Sequence, residues 1–275
     1  MLVSMIESMK KARENHYCVP ALGIANEHNL RAVLEAAEEK RSPVILLVMY
    51  GNNPDIEYFG RMISDLAWKA TVPVSMVLDH GAEYEHAIAA IRGGFTDIMI
   101  DRSSLPYQEN VAQVKELVKI AHAVGVGVEA ELGHVGFLGD LSQNVFTVPE
   151  EAVNYVQETQ IDALAVALGT SHGKYKGKPE LQFDLLKELR EKVPVPLVLH
   201  GGSGTGDDNL KKACEMGITK LNVAYELYHE ALEEIRSDAF QNDPWAEYGL
   251  YAYMAKGMKR AAMHTMDICG SSGRC

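Results

Sequence analysis

The sequence predicts an α/β protein of the (β/α)8, or TIM-barrel, class with extra C-terminal helices, and three observations carry that prediction. Short β-branched runs alternate eight times with longer stretches of helical periodicity, the pattern of parallel strands joined by crossover helices. The chain has 275 residues, 47% of them hydrophobic, a length and apolar supply that suit one such barrel. Most of the residues able to do chemistry stand where the apolar runs end, and the C-terminal strand ends form the face on which barrel enzymes carry their sites.

The N-terminal M-L-V-S-M-I-E-S-M-K-K-A-R-E-N reads as an amphipathic first helix. It has acidic residues, no long apolar stretch and no small-residue cleavage site, so it does not read as a signal peptide. The first strand is expected at 19–25 and the second at 43–49. Leu30, Val33, Leu34 and Ala37, spaced i, i+3, i+4, place a helix between them. The third strand (74–79) closes on Asp79 and His80, and the fourth (97–101) on Asp101. The fifth (127–132) carries Glu129 and Glu131, which share parity and therefore a face. The sixth (163–168) leads to His172 and the seventh (196–200) ends in His200. The eighth (219–224) carries Lys220 and Asn222, and from about Pro244 the pattern adds helix beyond the eight units. An open doubly wound sheet is the alternative, with fewer strands than this pattern supplies. No Pro/Ser linker, low-complexity block or run of like charge divides the chain, so one domain is expected over 1–275.

The formal net charge of −12 argues against nucleic acid and anionic membrane as partners. No apolar run approaches the length that crosses a bilayer. Cys18, Cys214, Cys269 and Cys275 show no paired spacing, which predicts a reduced, cytoplasmic protein.

Imidazole is the commonest protein ligand for a borderline divalent metal, and three with one open position make a catalytic site. His80, His172 and His200 stand at equivalent strand ends, far apart in sequence, so only a fold that gathers strand ends unites them. Zinc suits such ligands, while cobalt, manganese and iron also accept three imidazoles. Asp79 beside His80 reads as an acid/base next to the metal, or as a carboxylate capping the following helix. Glu131 reads as a fourth or alternate ligand, or as a carboxylate that orients a histidine. Two carboxylates inside a barrel need a cation, and Lys220 supplies one as a buried ion pair, with a Schiff-base lysine as the alternative. The turn Gly201-Gly202-Ser203-Gly204 and the segment Asn222-Val223-Ala224-Tyr225 follow strands seven and eight, where barrels commonly hold a phosphate. Gly169 to Gly173 offers carbonyls to a monovalent cation.

Together these residues resemble the class II, zinc-dependent ketose-phosphate aldolases, the family of fructose- and tagatose-bisphosphate aldolases. L-D-H-G (78–81), M-I-D-R-S (99–103), L-P-Y-Q-E-N (105–110), V-E-A-E-L-G (128–133) and L-A-V-A-L-G-T-S-H-G (164–173) match family signatures in order. So do P-L-V-L-H-G-G-S-G (196–204), K-L-N-V-A (220–224) and G-S-S-G-R (270–274), and the likeness spans nearly the whole chain. The resemblance implies His80, His172 and His200 as ligands of one zinc per subunit, and Asp79 as the group that moves the proton of the hydroxyl released by C–C cleavage. It implies Glu131 as an alternate ligand supported by Asp101. It further implies a sugar-phosphate cradle of Gly173, Gly201, Gly202, Ser203, Asn222, Ala224 and Tyr225. The implied reaction is reversible cleavage of a ketose 1-phosphate or bisphosphate to dihydroxyacetone phosphate and an aldehyde, in a homodimer or homotetramer. Lys259 or Arg260 is a candidate to complete a neighbour's site.

The sequence departs from the family at four places that bear on substrate. Ala21-Leu22-Gly23 replaces A-F-N, and Met49 stands where a serine or threonine lies near the phosphate. Tyr225 replaces a threonine after strand eight, and Gly136-Phe137-Leu138-Gly139-Asp140 replaces G-G-x-E-D. The loop glutamate is missing, and Asp140 is the nearby carboxylate left for its proton transfer. Three other activities compete: a metal-dependent hydrolase or isomerase, a non-catalytic metabolite-binding relative, and class I chemistry through Lys220. Leu22-Gly23-Ile24 offers no His-x-His of the kind hydrolases of this architecture carry on strand one.

Overall fold

Eight parallel strands close on themselves in the computed structural model, which describes residues 1–53, 55–175 and 177–275. They are β1 (Val19–Gly23), β2 (Val44–Met49), β3 (Val74–Gly81), β4 (Asp97–Ile100), β5 (Gly127–Leu132), β6 (Ala163–Val166), β7 (Leu197–Leu199) and β8 (Ile218–Val223). Each pairs with the next, and β8 returns to β1, so no edge is left open. All eight expected strands are present, with ends moved by up to two residues. β6 and β7 stop short of the expected ends, and the segments that follow them carry His172 and His200.

The helices are α1 (Met5–Glu14), α2 (Glu27–Lys40), α3 (Ile56–Ala67), α4 (Tyr84–Arg92), α5 (Tyr107–Ala123) and α6 (Pro149–Thr159). They continue as α7 (Phe183–Lys192), α8 (Asp207–Glu215), α9 (Tyr225–Arg236), α10 (Asp238–Gln241) and α11 (Leu250–Ile268). Strand alternation sorts the apolar residues into two cores. Leu22, Leu46 and Leu78 belong to the layer between strands and helices, while Ala21, Ile45, Leu47 and Val77 belong to a second cluster inside the barrel.

The first helix closes the floor of that inner cluster. Met5, Met9 and Ala12 are fully buried and group with the inward residues of the strands. Asp97, at the base of β4, holds the helix start: Oδ1 accepts from the Ser4 hydroxyl and Oδ2 from the Met5 N–H, both at 2.6 Å. A carboxylate there also faces the positive end of the helix dipole. Met9→Ala is expected to lower stability by about 2–5 kcal/mol, as large-to-small changes in closed cores do, read as a shifted urea midpoint with an unchanged slope.

Beyond the eight units, α11 packs along α9 and α2. Its cations pair within the chain: Arg260 with Glu230 and Glu234, Lys259 with Glu39 at 2.9 Å. Among the described residues no helix is long and apolar enough to cross a membrane.

Candidate active site

Adjacent residues of a regular strand point to opposite faces, so Asp79 and His80 reach one site only if β3 is distorted. It is. The β3–β4 register slips between Leu78 and Gly81, and His80 takes a left-handed φ of 49°. A non-glycine residue held there stores strain, an arrangement that clusters at functional sites.

Three imidazoles converge at the mouth. His80 Nε2 lies 3.1 Å from His172 Nε2 and 3.0 Å from His200 Nδ1, and the last two are 3.5 Å apart. The opposite ring nitrogens all face acceptors: Asp101 Oδ2 at 2.9 Å for His80, the Gly136 carbonyl at 3.2 Å for His172, and Glu129 Oε1 at 2.8 Å for His200. Each outer nitrogen therefore donates its N–H, so the three inward nitrogens are the ones that can offer lone pairs to a metal. A triangle of these sides has its corners about 1.9 Å from a common centre, close to the ~2.0–2.1 Å of a zinc–imidazole bond. The donor set fits a divalent metal.

The charges around the cluster point the same way. Burial lowers the pKa of His172 and His200, and neighbouring histidine charge adds to it, which keeps both neutral and ready to ligate. Burial also acts to lower that of His80, but Asp79, Asp101 and Glu131 outweigh it and hold the ring at about 9. Metal binding at His80 thus displaces a proton. Asp101 is desolvated, yet the hydrogen bond and charge of His80, with the N–H and O–H of Ser103, keep its carboxyl well below the usual range.

Glu131 lies close to both His80 and Asp101. Its Oε1 accepts from the Val135 N–H at 3.0 Å, while Oε2 is buried with no hydrogen-bond partner among the described residues. Burial, with Asp101 adding to it, pushes Glu131 up to about 8. His80, Asp101 and Glu131 bring one ligand atom each within 4.8 Å of one another. That grouping suits the alternate-ligand position expected for Glu131. The expected carboxylate–lysine pair falls to Glu129: Lys220 Nζ lies 2.8 Å from its Oε2, off hydrogen-bond alignment, with both side chains fully buried.

Asp79, nearly buried, accepts from Asn222 Nδ2 at 3.2 Å, and Asn222 also touches the His200 ring. Gly201 and Gly202 follow β7, where a side chain would not fit. A Cβ on Gly201 (φ 69°) would meet the Ser171 carbonyl at 2.6 Å, and one on Gly202 the Asn222 carbonyl at 2.8 Å. Ser203 Oγ accepts from the Glu226 N–H, tying this turn to the start of α9. Ala224 and Tyr225 thus sit at a helix N-terminus, whose first N–H groups have no helical partner. Tyr225 is 41% exposed and stacks on His229. Gly173 (φ 84°) faces the loop at Leu138.

Several contributors carry no signal in sequence periodicity. Tyr175 braces the cradle: its hydroxyl donates to the Gly201 carbonyl at 2.9 Å and accepts from the Ser171 N–H at 2.7 Å. Phe137 stacks on His172, with ring centres 4.8 Å apart. Ser103 bridges Asp101 to His134 Nδ1, 2.8 Å from each. His80, Asp101, Ser103, His134 and Phe137 help line a cavity of about 470 Å³ at the mouth. Hollows of 600 and 610 Å³ lie outside the barrel against α2 and α11. Asp140 is held in its own loop, where Oδ1 accepts from the Ser142 N–H and hydroxyl and Oδ2 from Gln143. In the segment suggested for a monovalent cation, the Thr170 carbonyl accepts from Asn144 and that of His172 from the Gly139 N–H. Met49, 42% exposed, ends β2 at the rim.

The profile of the family described as "Fructose-bisphosphate aldolase class-II" matches residues 3–274. A "Probable fructose-bisphosphate aldolase" of Bacillus subtilis (strain 168) is 41% identical, covering 99% of each chain. The "Uncharacterized protein YdjI" of Escherichia coli (strain K12) is 37% identical over 96% of this chain and 95% of its own. The crystal structure described as the YdjI aldolase from Escherichia coli K12 superposes with a TM-score of 0.90 at 35% identity, covering 100% of this chain and 99% of that one.

Proposed function

Because the chain belongs to the class II fructose-bisphosphate aldolase family, and so is a lyase acting on a phosphorylated sugar, we propose that it cleaves a ketose 1-phosphate to dihydroxyacetone phosphate and an aldehyde. The observation that carries this reading is the convergence of three imidazole nitrogens beside Asp79 and a glycine-lined helix N-terminus.

In this reading His80, His172 and His200 hold the metal, taken as zinc, while Asp101, the Gly136 carbonyl and Glu129 fix their rings. A divalent metal bound there supplies Lewis-acid stabilisation of the negative charge that the breaking bond leaves on the ketone oxygen. Asp79 removes the proton from the hydroxyl that becomes the aldehyde, and returns it in the aldol direction. Asn222 orients that carboxylate. Gly173, Gly201, Gly202, Ser203 and the N–H groups of Ala224 and Tyr225 receive the phosphate.

The aldehyde half differs from that of fructose 1,6-bisphosphate in our reading. Apolar Met49 and aromatic Tyr225 stand in place of hydroxyls at the rim, and Phe137 lies over His172 in a loop without the family's glutamate. The same proposal takes a homodimer or homotetramer in the cytoplasm as the working state, with Asp140 as the remaining loop acid.

The test is deuterium exchange into dihydroxyacetone phosphate followed by proton NMR, a half-reaction that needs no knowledge of the aldehyde. Exchange abolished by a chelator and restored by zinc is expected. No exchange by metal-loaded enzyme would overturn the assignment of substrate. Asp79→Asn is expected to keep its metal and the exchange while cleavage falls roughly 10²–10⁴-fold. Loss of metal from that variant would show that Asp79 serves the metal site instead.

A further inference from the structure

Cys18, Cys214 and Cys269, spread over most of the sequence, meet at the floor of the barrel. Cys18 immediately precedes β1, Cys214 lies in the last turn of α8, and Cys269 ends α11, where its carbonyl accepts the Cys18 N–H at 2.9 Å. All are free thiols, exposed by only 0%, 4% and 1%, within one apolar core. Their three sulfurs lie within 4.8 Å of one another, and no histidine or carboxylate joins the group among the described residues.

We propose that these three cysteines form a binding site for a thiophilic trivalent metalloid, with arsenite as the representative ligand. Three sulfurs about 2.3 Å from one pyramidal trivalent centre, the length of a metal–thiolate bond, lie roughly 3.5 Å apart. The observed group, within 4.8 Å, closes on such a centre by moving at most about 1.3 Å along its longest edge. Charge selects the occupant. Three thiolates around a divalent ion leave a net negative charge in apolar surroundings, whereas a trivalent centre gives a neutral complex and avoids that desolvation. In the reaction arsenous acid exchanges three hydroxyls for three thiols. Three S–H and three As–OH bonds break, three As–S bonds form, the protons leave with the hydroxyls as three waters, and arsenic stays trivalent. The neighbouring thiols of Cys18 and Cys269 lower the pKa of Cys214 and favour its thiolate, while burial pushes the other two thiols up, so Cys214 is the sulfur to start the exchange.

The site lies at the opposite end of the barrel from the histidines. A bound ion would tie the start of β1 to the ends of α8 and α11, linking the two ends of the chain without touching the catalytic mouth. Entry requires the last residues to lift, since Ser271 is buried against Ser42 and the Gly273 N–H donates to the Lys40 carbonyl. Binding is therefore expected to be slow.

The experiment incubates the zinc-loaded enzyme with arsenite and reads native mass, free thiols after denaturation, and thermal midpoint. One arsenic per chain with three thiols consumed, and a midpoint raised by several degrees, is expected; bound zinc should be unchanged. Cys18→Ser, Cys214→Ser and Cys269→Ser should each lose the adduct, and Cys275→Ser, at the partly exposed C-terminus, should keep it. Alanine at the same three positions separates lost binding from a fold disturbed by a buried hydroxyl. No adduct on the folded enzyme, an adduct that survives Cys214→Ser, or only two thiols consumed would overturn the proposal. One-to-one cadmium binding at these cysteines without arsenite binding would overturn the trivalent assignment.

Discussion

His172→Ala and His200→Ala are each expected to release the metal and abolish aldol cleavage, with metal content falling from about one per chain to near zero. The expectation rests on the geometry of the donors. Three inward nitrogens at 3.0, 3.1 and 3.5 Å from one another define a single point, and two of three leave an ion with an incomplete protein cage. The two variants should differ in stability. His172 sits at the loop edge, with its outer nitrogen on the Gly136 carbonyl, so its removal unsettles the loop after β5. His200 is fully buried and donates to Glu129, so its removal also leaves a buried carboxylate short of a donor. Metal analysis, circular dichroism and a cleavage assay on the same samples separate these effects. A His172→Ala enzyme that retains full metal and turnover would refute the three-histidine site.

Much of this site was legible in the sequence because each residue closes an apolar strand-like run, and a barrel turns eight such positions into one ring. Parity placed Glu129 and Glu131 on the same face, and both point inward, though toward different partners. What sequence could not supply were contacts between residues far apart in the chain. The left-handed turn at His80, which brings Asp79 and His80 to the same mouth, has no marker such as glycine. Tyr175 and Phe137 act through contacts with loops that have no period, and the first helix betrayed its amphipathicity but not its place beneath the barrel. The cysteines showed no paired spacing, yet the fold brings three of the four together. Lys259 and Arg260, candidates for a neighbour's site, pair with glutamates of their own chain.

Glu129→Gln should produce the largest loss of stability of any substitution near the site, about 3–5 kcal/mol, the usual effect of breaking a buried ion pair from one side. Glu129 carries two duties: one oxygen lies against the Lys220 ammonium at 2.8 Å and the other accepts from His200 at 2.8 Å. Desolvation alone would raise its pKa, but the charge of Lys220 and the hydrogen bond from His200 bring it to about 2. The sign follows. The folded-state value is depressed, so this contribution is present at neutral pH and is lost only as pH falls from the ordinary carboxylate range toward 2. Glutamine retains an acceptor for His200 but strands a fully buried ammonium, so the metal should weaken less than the fold. Removing both charges in Glu129→Gln/Lys220→Met should restore a large part of the stability, because burying an ion pair confers little net stabilisation over apolar packing. A double-mutant cycle by urea unfolding, run with and without metal, measures the coupling directly. Additive single effects would show that the two charges do not interact. A metal-free coupling equal to the metal-bound one would assign the pair to the barrel's core, and a larger coupling with metal would show that Glu129 transmits the charge of Lys220 to the His200 ring.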